Sequence, residues 1–78
     1  MNRKHPLSEE FPEFEEKILT LKVENDHFKK LYDQYDEVDH HIYRVESDVE
    51  PSSDEVANQL RIARLRLKDE IYKFLKEY

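Results

Sequence analysis

The chain has 78 residues, 19 acidic against 13 basic, a net charge of −6, and neither cysteine nor glycine. Disulfides and thiolate metal sites are thereby excluded, and the missing glycine argues against phosphate-cradling loops, dinucleotide fingerprints and strand-type hairpin turns. The acidic balance opposes general binding to nucleic acid or anionic lipid, and there is no run of ~18 apolar residues to span a membrane.

Met1 to His5 is basic, but no apolar signal-like segment follows it, which points to the cytoplasm. Residues 1–11 read as a flexible N-terminal extension. From Phe11 the apolar positions run Phe11, Phe14, Ile18, Leu21, then Phe28, Leu31, Tyr35, Val38, Ile42, Val45 and Val49. Alternating spacings of three and four are the seam of a helix that packs on another helix. Pro12 suits a first helical turn, where its missing N–H costs nothing, and Phe11 before it is biased away from helix. The first helix therefore begins near Pro12, with Ser8 as a possible earlier cap, and runs over about 12–50. Glu50-Pro51-Ser52 is the turn, over 50–52. Ser52 and Glu55 then form an S-x-x-E capping box, with Ser53 the rival cap. A second helix over about 53–77 carries the stripe Val56, Leu60, Ala63, Leu67, Ile71, Phe74 and Tyr78. So short a link between helices this regular predicts an all-α fold. It is an antiparallel two-helix hairpin with coiled-coil-like packing, occupying residues 12–78.

Three stretches add a resemblance. Phe11-Pro12-Glu13-Phe14, Leu21-Lys22-Val23-Glu24-Asn25-Asp26-His27-Phe28 and Leu65-Arg66-Leu67-Lys68-Asp69-Glu70 are similar, in order and separation, to motifs of the YdcH-like family of small bacterial proteins. The resemblance spans Phe11 to Leu75. It implies a helical hairpin, brings no catalytic residues and leaves Met1 to Glu10 as an extension before the family's usual start.

The first helix slips once. Leu21, Asn25, Phe28 and Leu31 are spaced four, three and three, an extra three that rotates the apolar stripe. Folding back at Pro51 lets the second helix cover the first only to about residue 24. Phe11, Phe14, Ile18 and Leu21 are then expected to project beyond the hairpin. Asn25 at the slip is a candidate for fixing register or partner. Ile62, Leu65 and Tyr72 lie on a second face of the second helix. Together these residues form the expected interface of a homodimer or of a helical protein partner.

Nothing in the sequence assembles an enzyme. Asp36 and His40 share a helix face at zinc-ligand spacing, with Asp39 and His41 nearby, but two ligands are too few. The tyrosines at 32, 35, 43, 72 and 78 are surrounded by acids, whereas base-stacking surfaces interleave basic residues. Arg61, Arg64, Arg66 and Lys68 form one basic patch, expected to pair with the acids of the first helix around Asp36, Glu37 and Asp39. Its alternative use is in a nucleic-acid- or ribosome-associated accessory. No metal, cofactor, small-molecule substrate or membrane contact is expected. The leading expectation is a non-catalytic interaction or structural module.

Overall fold

The computed structural model describes residues 4–47 and 53–78. Along the chain lie α1 (Leu7–Glu10), a 3-10 turn (Pro12–Phe14), α2 (Glu15–Glu24), α3 (Asp26–Glu46) and α4 (Asp54–Glu77). The protein is all-α; among the described residues there is no strand.

The hairpin is the packing of α3 on α4. Arg61 meets Glu46, Arg64 meets Asp39 and the rings of Phe28 and Phe74 lie 5.4 Å apart, so the two helices run antiparallel. Phe28, Leu31, Tyr35 and Ile42 are buried on α3, and Ile71 and Leu75 on α4; Val38, Leu60, Ala63, Leu67 and Phe74 are half-buried. Each large apolar side chain taken fully from water contributes ~1.5–3 kcal/mol, so this periodic seam is the main source of cohesion. Ser53 caps α4 by accepting the Val56 N–H at 3.2 Å. The cap expected at Ser52 is thus found one residue later, α4 begins at Asp54, and the Glu50-Pro51-Ser52 turn lies outside the described residues.

The largest departure from the sequence reading lies before Phe28. A single helix over 12–50 would be about 58 Å long at ~1.5 Å per residue. The molecule measures 38 × 20 × 17 Å, a length that α4 alone nearly fills. The expected long helix is broken at Asn25, whose φ of −129° and ψ of 111° are extended. What read as a rotation of the stripe is a break, because asparagine competes for its neighbours' backbone donors: its Oδ1 accepts the Phe28 N–H at 2.9 Å and caps α3. A second break falls at Phe11, φ −129° and ψ 65°, where the following proline excludes helix. Segment 4–24 therefore folds back along the hairpin as an arm, with residues 4–11, expected as an extension, packed on it through Leu7 and Phe11. Ser8 lies inside α1, whose N-cap residue is Pro6.

Candidate interaction surfaces

The arm is anchored by four apolar side chains. Leu7, Phe11, Ile18 and Leu21 are buried in one core with Phe28, Leu31, Tyr35, Ile71 and Leu75. Phe14 is half-buried against it. Phe11 stacks on Tyr72 with ring centroids 5.4 Å apart, and Phe14 meets the same ring edge-on at 6.3 Å. These residues were expected to project beyond the hairpin and wait for another molecule. The structure covers them with their own chain, because the break at Asn25 lets the stripe turn back onto α3 and α4.

Polar ties follow the arm along the hairpin. Asp39 is 2% exposed and accepts twice: from the His5 backbone N–H at 2.8 Å, and from Arg64 at 3.0 Å. Tyr35 donates its hydroxyl to the His5 carbonyl at 2.6 Å. Burial, and then the Asp39 and Glu10 carboxylates, push the Tyr35 hydroxyl well above its ordinary pKa of 10.0, with Arg64 opposing. The phenol is therefore held as a neutral donor. Further along, Lys68 meets Glu10 at 3.1 Å, and Lys17 donates to the Leu75 carbonyl at 2.9 Å near the C-terminus of α4, where a cation also suits the helix dipole. Lys22 sits 4.2 Å over the Tyr32 ring, joining α2 to α3. Asn25 reaches the Tyr78 hydroxyl with its amide nitrogen at 3.2 Å.

Of the second expected face, Tyr72 is engaged by Phe11 and Phe14, while Ile62 and Leu65 stay exposed. Phe11, Ile18 and Leu21 are buried, so they do not form an exposed surface with Ile62 and Leu65. Two residues that hold the assembly are not singled out by the sequence pattern. Leu7 lies four before Phe11 and continues the same spacing, a signal obscured by the Phe11-Pro12 break. Leu75 lies four after Ile71. Asp39 pairs with Arg64, as the match of basic patch and acids leads one to expect, but its burial on the apolar face four residues after Tyr35 and its bond to the His5 backbone are not foreseen.

The remaining chemistry is sparse. An open cavity of about 280 Å³ is lined by His5, Glu10, Arg61, Arg64, Leu65 and Lys68. Its cations are matched by acids, Arg61 to Glu46, Arg64 to Asp39 and Lys68 to Glu10. Among the described residues no group of three or more His, Asp or Glu could hold a metal, and no helix is long and apolar enough to cross a membrane.

A broken first helix laid on an antiparallel pair defines a small all-α protein whose distinctive feature is the surface between arm and hairpin. The family model described as protein of unknown function (DUF465) matches residues 28–75, which take in all but the first two residues of α3 and all but the last two of α4. The uncharacterized protein YdcH of Escherichia coli (strain K12) and that of Shigella flexneri are each 40% identical over 68 residues, 86% of this chain and 90% of theirs. The chain belongs to this family, as its three motifs imply. The YdcH match leaves too few residues outside it to omit the α2 segment, so the likeness extends beyond the hairpin. No solved structure matches significantly.

Proposed function

We propose that the protein is a non-catalytic interaction module of the cytoplasm that self-associates as a homodimer through its α2 segment. The observation that carries this reading is that α2 is apolar on both sides. Ile18 and Leu21 enter the core, while Leu19 and Val23 point outward, 61% and 85% exposed. Leu19 and Val23 lie one turn apart on the side of α2 away from the core, an apolar pair that the hairpin leaves uncovered. The interface thus stays in the segment that the sequence reading chose, but on Leu19 and Val23 in place of their buried neighbours. A second copy is the partner most economical for one patch, since two-fold symmetry covers it with itself. The nucleic-acid alternative has less support, because Arg61, Arg64 and Lys68 are engaged by carboxylates of the same chain.

Sedimentation velocity across micromolar concentrations tests the reading. A dimer is expected for the wild-type chain, weakened by Leu19→Glu and by Val23→Glu without loss of helical circular dichroism. A 9.6 kDa species at every concentration would overturn it.

A further inference from the structure

We propose that the arm is exchangeable: α2 and α3 straighten into one helix at Asn25, and the arm of one copy docks on the hairpin of another with the contacts it now makes within its own chain. This rests on the self-association reading: contact through Leu19 and Val23 brings two copies together, and exchange of the arms is what then follows between them.

The joint is one residue long. On its N-terminal side the helical ladder is intact up to Asn25, whose N–H reaches the Leu21 carbonyl at 2.9 Å. On its C-terminal side it resumes with the Lys29 N–H on the Asn25 carbonyl at 3.0 Å. Only the amides of Asp26, His27 and Phe28 are left out of an α-helical i→i−4 pattern, and Asn25 caps the last of these with its side chain. Straightening turns one backbone residue from extended to helical, forms three backbone bonds and gives up one cap. By this count the joint itself leans toward the continuous helix, and what holds the closed form is the packing of the arm on the hairpin, which exchange between copies preserves.

A straight joint carries the arm off its own hairpin. Leu7, Phe11, Ile18 and Leu21 would lose their cover, and so would Phe28, Ile71 and Leu75 beneath them. Asp39 and the Tyr35 hydroxyl would lose the backbone of His5. The surface that fits this loss is the same surface on a second copy. It carries the same apolar sites, the Asp39 acceptor for a backbone N–H, and Lys68 placed for Glu10. No foreign partner is required, because every contact is already self-complementary.

Two substitutions at the joint push in opposite directions. Asn25→Ala removes the cap and favours continuous helix, so it is expected to raise the dimerisation constant ~10-fold or more, since each of two closed chains loses its cap. Asp26→Pro is expected to lock the broken form and leave a folded monomer. Proline is accommodated at the first position of α3, it cannot continue the ladder from α2, and the extended Asn25 before it is close to the backbone that a following proline demands.

The direct readout is zero-length carbodiimide crosslinking of Glu10 to Lys68, 3.1 Å apart, after unfolding and refolding a mixture of nitrogen-14 and nitrogen-15 chains. Arm exchange gives mixed-isotope Glu10–Lys68 peptides at the statistical proportion in the dimer fraction, none in the monomer fraction, and none from Asp26→Pro. A wild-type dimer whose Glu10–Lys68 peptides are all of one isotope would overturn arm exchange while leaving self-association standing. Monomer throughout, for wild type and Asn25→Ala alike, would overturn both.

Discussion

The hairpin and the arm bury similar side chains but hold them in different ways. In the hairpin, α3 and α4 face each other over many turns, and the loss of one contact leaves neighbours on either side. The arm is a four-residue helix, a 3-10 turn and a ten-residue helix, anchored by Leu7, Phe11, Ile18 and Leu21 and pinned by a few polar ties at His5, Glu10 and Lys17. Short helices hold little stability of their own and take it from packing. The arm is therefore the part of the molecule expected to open first, and the hairpin the part that persists.

Truncating the hairpin seam should have the largest effect. Ile71 is wholly buried, beneath both α3 and the arm, so Ile71→Ala should cost ~2–5 kcal/mol in a urea melt and lower the protection of every slow-exchanging amide. Leu7→Ala removes a side chain that is 2% exposed, yet its effect should be local. Amides of α2 and those contacting the arm should exchange faster, while the centre of α3 keeps its protection. Equal loss of protection across both regions would show that arm and hairpin unfold as one unit.

A smaller effect belongs to Tyr35, whose hydroxyl ties the hairpin to the His5 carbonyl. Its pKa is raised in the folded chain, so the unfolded chain loses this proton first. The stabilisation is therefore complete below pH ~10 and is lost as pH rises above that, toward the folded value. Tyr35→Phe should cost ~0.5–1.5 kcal/mol at neutral pH and flatten the alkaline fall in stability relative to wild type. An unchanged alkaline profile would place the cause in other groups. Smallest of all is the cap. Ser53→Ala should cost ~0.5 kcal/mol, the low end for a cap because the bond is exposed, and should act on α4 alone.

The two regions also differ in how much of them can be read from residue order. The hairpin follows from period: Phe28, Leu31, Tyr35 and Ile42 on one helix and Ile71 on the other stand where the seam puts them. The arm does not, because its path depends on two backbone breaks that residue type only permits. Asn25 is compatible with a seam position, a stammer or a cap; the cap wins because Ile18 and Leu21 gain cover by folding back. Phe11-Pro12 marks the start of a helix equally well with or without an ordered segment before it. Asp39 shows both sides: its pairing with Arg64 follows from the register of the hairpin, whereas its bond to the His5 backbone depends on the path of the arm, which residue order does not give.

The central claim is that the chain before Phe28 leaves helix at Asn25 and packs on the hairpin. The nuclear Overhauser pattern of the isotope-labelled protein tests it most directly. Cross-peaks between the rings of Phe11 and Tyr72 are expected, together with an extended-type Cα shift at Asn25 and loss of the helical connectivities that would cross it. Unbroken helical connectivities from Glu15 through Phe28, with no contact between Phe11 and Tyr72, would contradict it.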